Sequence, residues 1–177
     1  VIHPQKWPKD LNYEDKKVIV IGSGATAATI VPEISKKSKH VTMLQRSPTY
    51  YFPSLDEDRF ANFLKKILPT KFSYSFIRLR NVLFQQLLYR VCRRFPNFVK
   101  RKLIDHVRDM LPNFDIQKHF TPSYNPWEQR MCLIPNGDLF KSLRENRATI
   151  VTDHIDEFTQ NGIKLKSGAE LLSLIHI

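Results

Sequence analysis

With 177 residues, 42% hydrophobic and 25% charged, the chain is long enough to bury one core, and its composition excludes a fibrous or low-complexity polymer. Twenty-eight Lys and Arg against 17 Asp and Glu leave a formal charge of +11, so an acidic partner has to be sought: nucleic acid, an anionic membrane or a phosphorylated cofactor. Val1 to Trp7 contains no apolar leader, and no apolar stretch approaches the ~20 residues that a bilayer span requires.

In chain order, His3-Pro4-Gln5-Lys6-Trp7-Pro8 comes first, an HxxxWP pattern that carries little by itself. Lys17 to Gly22 (KVIVIG) is a β-branched apolar run bounded by Lys and Gly, the pattern of a strand buried on both faces of a parallel sheet. Gly24 to about Lys37 reads as a helix with Ala25, Ala27, Ala28 and Ile34 on its apolar positions. Pro32 inside it predicts a kink, because an interior proline costs about 3 kcal/mol in a regular helix. Lys36, Lys37 and Lys39 then suit the negative end of the helix dipole. His40 to Leu44 is a second strand, which completes one βαβ unit.

From Leu55 to about Met110 there are no glycines. Phe60, Phe63, Leu64, Ile67 and Leu68 fall at helical spacing, as do Phe76, Leu79, Leu83, Leu87 and Val91, and then Val99, Leu103 and Val107. Two or three amphipathic helices are expected, broken near Pro69 and Pro96. This stretch carries 13 Lys/Arg against 5 Asp/Glu, a net +8. Its first reading is a helical insertion packed on the preceding βαβ unit with a solvated basic face. Its second is a module that lies on an anionic membrane. Nucleic acid is not expected as a partner, since no recognition motif accompanies the charge.

After Met110 the chain is loop-like through Pro112, Pro122 and Pro126. Pro135-Asn136-Gly137-Asp138 signals a turn, with Asp138 capping a short helix to about Arg144. Ala148–Thr152 and Ile163–Lys166 read as two strands, paired as a hairpin across Asn161-Gly162. Cys92 and Cys132 form neither a metal nor a redox spacing; reduced thiols of a cytoplasmic protein are expected, and no metal.

The most informative segment is Gly22-Ser23-Gly24-Ala25-Thr26-Ala27, a GxGxxA placed between a buried strand and a helix. The first glycine allows the tight turn, the second lets a pyrophosphate approach the backbone, and the small third residue lets helix pack on strand. The helix N-terminus then meets the phosphates with free N–H groups. At the end of the second strand an NAD-binding unit usually places a carboxylate on the ribose 2′-OH. This chain has Gln45-Arg46-Ser47 there, and an arginine pairs with a 2′-phosphate that a carboxylate would repel. NADPH is therefore the expected dinucleotide.

These residues, together with His3, Trp7 and Pro8, make the chain resemble the Baeyer–Villiger monooxygenases. These are class B flavoproteins whose fingerprint FxGxxxHxxxWP ends in the same residues. The likeness is greatest to the subgroup of ethionamide-activating monooxygenases. It is carried by VIVIGSGATAATIVPEI, VTMLQRSPTYY, and PSYNPWEQRMCLIPNGDLFKSLR followed by ATIVTDHIDEFTQNGIKLKSG.

The resemblance implies an α/β fold. A Rossmann-like NADPH-binding domain with a helical insertion would form part of a flavoprotein with two dinucleotide-binding domains. It implies an interdomain linker over residues 1–15, the first βαβ unit over 16–54, the insertion over 55–110 and the remainder of the domain with a return linker over 111–171. Gly22, Gly24 and Ala27 would line the NADPH pyrophosphate, with Ser23, Ala25 and Thr26 in the same cofactor-binding turn, and Arg46 and Ser47 would hold the 2′-phosphate, with Gln45 beside them in the cofactor site. His3 would couple domain movement to NADPH binding. Arg130 matches the family's active-site arginine, which stabilises the anion that reduced flavin forms with O2. The implied cofactors are NADPH and FAD, and the implied substrates are O2 with a ketone or a thioether. The family's FAD-binding GxGxxG has no copy here, so the chain is expected to be a fragment without activity of its own. Residues 172–177 depart from the family pattern and are expected to be a non-native tail.

Overall fold

The computed structural model describes residues 1–177 except 130 and 174. Its centre is a parallel sheet built from β1 (Lys17–Ile21), β2 (His40–Gln45), β5 (Ala148–Thr152) and β9 (Ile175–His176), in the order β5-β2-β1-β9. Val18 and Val20 of β1, Val41 and Met43 of β2 and Ala148 of β5 are buried, and on the opposite face so are Ile19 and Leu44. That two-sided burial is why β1 reads as an unbroken apolar run.

Helix α1 (Ala25–Ile34) crosses from β1 to β2 and buries Ala27, Ala28, Val31 and Ile34 against the sheet. Pro32 stays inside a single helix, near its end and buried; Lys36 and Lys37 lie beyond the last turn rather than in it. Pro32 removes only the bond to the Ala28 carbonyl, and the helix continues past it, with the Ser35 N–H donating to the Val31 carbonyl at its end.

Proline marks the helical segment as expected. α2 (Arg59–Ile67) ends before Pro69, α3 (Thr70–Arg94) follows it, and α4 (Pro96–Met110) begins on Pro96. What differs is where the apolar positions go. Phe76, Leu79, Leu83 and Leu87 of α3 are exposed, and α3 buries only Ser73 and Cys92. Packing on the central domain is left to α4, through Val107 and Ile104, and to the short α5 (Ile116–Phe120).

Two strand pairings depart from the sequence expectation. β3 (Tyr51–Ser54) and β4 (Cys132–Pro135) form a small parallel sheet, hidden in the sequence because Pro53 and Pro135 argue against strands. Ala148–Thr152 is not half of a hairpin: it pairs in parallel with β2. The hairpin partner of β7 (Gly162–Leu165) is β6 (Ile155–Thr159), and β8 (Glu170–Leu172) completes an antiparallel meander. The alternation of β6 was obscured because its side chains are mostly exposed. α6 (Asp138–Arg144) has Gly137, in a left-handed conformation, as its cap; Asp138 occupies the first turn, where its charge meets the helix dipole.

In the segment 172–177, expected to be a non-native tail, a short strand is found among the described residues, which does not bear on the segment's origin. β9 pairs in parallel with β1, Ile175 and Ile177 are buried, and Ser173 Oγ donates to the Lys17 carbonyl at 2.8 Å. The open edge of β1 offers unpaired backbone groups and an apolar shelf, which a β-branched segment can satisfy. Among the described residues no helix is long and apolar enough to cross a membrane, and both cysteines are free and buried.

Candidate functional site

The order β5-β2-β1-β9 reverses direction at β1, and the C-terminal ends of strands at such a switch point form a crevice. A cleft of about 650 Å³ lies there, lined by Gly22, Gly24, Thr26 and Ala27 together with His3 and Gln5. Gly22 has φ +130°, a conformation that L side chains avoid, and its N–H donates to the Leu44 carbonyl at 2.7 Å. Gly24 is the N-cap of α1 and brings no side chain to cap it. A Cβ at either glycine would meet nothing within 4 Å, so the open space belongs to the cleft. The first-turn N–H groups of α1, at Ala25, Thr26 and Ala27, have no carbonyl one turn earlier to bond to. They are oriented for an anion.

The turn after β2 is brought against this one. Ser23 Oγ donates to the Ser47 carbonyl at 3.3 Å, although 24 residues separate them. Arg46 and Ser47 are exposed, and Arg46 makes no ion pair among the described residues. Gln45 is placed differently. Its side chain is fully buried and turned inward, where Nε2 donates to the His119 carbonyl and to Thr152 Oγ1, each at 2.8 Å. It straps β2 to α5 and β5. Thr152 Oγ1 also meets His119 Nδ1 at 2.7 Å, and burial holds the imidazole pKa below its ordinary value.

The residue that sequence reasoning missed is Tyr51. Buried on β3 among Phe120 and Phe140, it donates its hydroxyl to the Ser23 carbonyl at 2.9 Å, and burial pushes its pKa well up, so it stays a donor. The signal was available as an aromatic pair, Tyr50-Tyr51, following the Arg46-Ser47 turn. Tyr50 serves the other side. Its hydroxyl donates to the Tyr124 carbonyl at 2.7 Å, while Tyr124 Oη meets Thr49 Oγ1 at 2.8 Å. Burial and the neighbouring Tyr124 push Tyr50 up to about 12. These bonds clamp the Thr121–Gln129 loop onto the connector that carries Arg46 and Ser47. Within the loop, Glu128 accepts from the Asn125 N–H at 2.8 Å, which lowers the carboxyl pKa, and Trp127 packs edge-on against Tyr89 of α3 at 6.0 Å. Arg130 lies outside the described residues.

Of the HxxxWP residues, His3 lines the cleft and accepts the Gln5 N–H at 3.3 Å on Nδ1, which caps the 3₁₀ turn Pro4–Lys6. Trp7 packs edge-on against Tyr13 at 6.1 Å beside the core, and Pro8 is exposed. His3 and the glycine turn therefore share one cleft, with Trp7 anchoring the segment. Among the described residues no cluster of His, Cys, Asp and Glu could hold a metal ion.

The model of the flavin-binding monooxygenase-like family matches residues 1–117. The chain is 48% identical over 173 residues to the FAD-containing monooxygenase EthA of Mycobacterium tuberculosis, covering 97% of this chain and 35% of that protein. It is 48% identical over 171 residues to the probable FAD-binding monooxygenase AlmA of Acinetobacter baylyi, covering 96% of this chain and 34% of that one. The chain thus spans about 35% of the length of such relatives. Among solved structures, an oxidized steroid monooxygenase bound to NADP superposes with a TM-score of 0.71 at 17% identity, over 97% of this chain and 39% of that one, a likeness of fold.

Proposed function

This chain belongs to the flavin-binding monooxygenase-like family, and on that premise we propose that it is the NADPH-binding part of an FAD-dependent monooxygenase acting on ketones or on sulfur. The observation that carries the reading is the junction of the glycine turn with the Arg46-Ser47 turn, through the Ser23–Ser47 hydrogen bond, at the switch point of a parallel sheet.

The residues present fit the dinucleotide. The space beside Gly22 and Gly24 is open where a pyrophosphate would approach, and the α1 N–H groups have no acceptor of their own. Arg46 and Ser47 are proposed to hold the 2′-phosphate, by two charge-assisted bonds from the guanidinium and one from the hydroxyl. Tyr51 positions the turn through the Ser23 carbonyl, and Gln45 sets the end of β2 from below. His3 closes the cleft beside the glycines. Arg130 is proposed as the active-site cation, by its match to the family motif. One GxGxxA occurs in these 177 residues and is assigned to NADPH; FAD is assigned to the remainder of a protein of the relatives' length. When bound, NADPH supplies a hydride equivalent and the flavin activates O2. One oxygen atom enters the ketone or thioether, and the other leaves as water as NADPH is oxidised.

The test is an assay of the full-length protein with NADPH or NADH, a methyl ketone or a methyl thioether, and product identification by mass spectrometry under ¹⁸O2. The expected result is NADPH-dependent ester or sulfoxide carrying one labelled oxygen. Sulfoxide without ester from any ketone narrows the activity to heteroatom oxygenation. The absence of NADPH oxidation and of labelled product with every substrate overturns the proposal.

A further inference from the structure

The helical segment presents a surface that the dinucleotide site does not use. Phe72, Phe76, Leu79, Leu83 and Leu87 lie at spacings of three or four along α3 and are 70%, 52%, 57%, 55% and 61% exposed. They form one stripe about 22 Å long at the rise of an α-helix. α2 adds Phe60, Phe63 and Ile67, also exposed, and the Phe60 ring meets that of Phe76 at 6.3 Å, so the two apolar faces are continuous. Between them Leu68, Phe72, Phe76 and Leu79 line a shallow hollow of about 440 Å³. Contiguous apolar surface on this scale marks an interaction site rather than ordinary scatter.

Charge specifies the occupant. From Arg59 to Ile104 there are 12 Lys and Arg and not one Asp or Glu. Arg90 and Arg94 continue the apolar stripe at the same helical spacing, and Lys65, Lys66 and Lys71 stand where α2 passes into α3. In this span Arg80 is held back by Asp58, which precedes α2. A folded protein partner would have to supply carboxylates in register with every cation around an apolar strip. A bilayer of anionic lipid supplies phosphates without register and takes the aromatic and aliphatic side chains at the boundary of headgroup and acyl chain. Lys and Arg can lay their stems along the apolar surface and set their charges at headgroup level. α3 packs mainly on α2 and α4 rather than on the central sheet.

We propose that the joint α2–α3 face is a docking surface for an anionic lipid bilayer, with Phe72, Phe76, Leu79, Leu83 and Leu87 entering the interface and Arg90, Arg94, Lys65, Lys66 and Lys71 on lipid phosphates. The inference does not depend on the monooxygenase reading.

The experiment is co-sedimentation of the full-length protein with phosphatidylcholine vesicles, with and without phosphatidylglycerol. Two variants accompany it, Phe72→Ser/Phe76→Ser/Leu83→Ser and Lys65→Glu/Lys66→Glu/Arg90→Glu/Arg94→Glu. The changes fall on exposed side chains, so circular dichroism and NADP⁺ affinity are expected to stay as in the parent. The parent should bind vesicles containing phosphatidylglycerol at least about tenfold more tightly than phosphatidylcholine alone. It should be released as salt rises from about 0.1 M to about 1 M, where screening shortens to ~3 Å. Each variant should lose about tenfold or more. No sedimentation of the parent means that the face is covered by the rest of the chain or by a second copy, and overturns the proposal. So does binding that ignores lipid charge, or binding that survives both variants.

Discussion

Gly24→Ala separates the folding role of the glycine turn from its ligand role. Gly24 has φ −77° and ψ −178°, extended backbone open to any residue, and an added Cβ meets nothing within 4 Å. Gly22, with φ +130°, would confound binding with backbone strain. Alanine is poorer than glycine at an N-cap by roughly 0.5–1 kcal/mol. Its stiffening of the unfolded chain returns about 0.4–1 kcal/mol. The two offset, and the variant's stability should lie within about 1 kcal/mol of the parent. Binding has no such compensation. The methyl group stands where the pyrophosphate approaches the α1 N–H groups, and the loss of one hydrogen bond to a charged phosphate costs about 1.5–3 kcal/mol. That converts to a 10- to 150-fold weaker dinucleotide. Calorimetric titration of full-length protein with NADP⁺, beside a thermal melt of the same sample, reads both quantities. An NADP⁺ affinity unchanged by Gly24→Ala refutes the placement of the pyrophosphate. A large drop in melting temperature refutes the reading of Gly24 as structurally free.

Arg46→Gln should raise the KM for NADPH about tenfold or more and leave that for NADH nearly unchanged, because only the 2′-phosphate loses a charged partner; an equal rise for both would show that Arg46 does not read the 2′ position. Gly162→Ala places a Cβ 2.0 Å from the Leu171 carbonyl oxygen in the adjacent strand. It should destabilise the β6–β8 meander by about 3 kcal/mol, read as a lower urea midpoint, and a neutral result would show that β7 and β8 are not in this register. His40, His119 and His176 are all held below their ordinary pKa by burial, so the unfolded chain takes up protons near pH 6.5 while the folded one does not. Stability should therefore fall as pH drops from 7.5 through 6.5, by an effect that His119→Asn reduces while keeping a side-chain partner for Thr152. An unchanged pH slope in that variant would remove His119 from the account.

The sequence alone determined what depends on neighbours along the chain. KVIVIG is apolar at every core position because β1 is covered on both faces, so strand, glycine turn and helix could be read without tertiary information. Pro69 and Pro96 divide the helices by removing backbone donors, a local effect visible in the letters. The Arg46-Ser47 turn could be read because its distance from the glycines is set by one βαβ unit. What the tertiary structure decided is what depends on contacts distant in sequence. Pairing of Ala148–Thr152 with β2 rather than with Ile163–Leu165, and the seating of Ile175 on β1, follow from which sheet edges are open once α1 and α6 have packed. Gln45 and Tyr51 acquire their positions only from His119, Thr152 and Ser23, 74, 107 and 28 residues away. The stripe on α3 has the periodicity of a core-facing helix, and only the fold shows that these 177 residues do not cover it. Periodicity records that a face is apolar; what meets that face is settled by the arrangement of the whole chain.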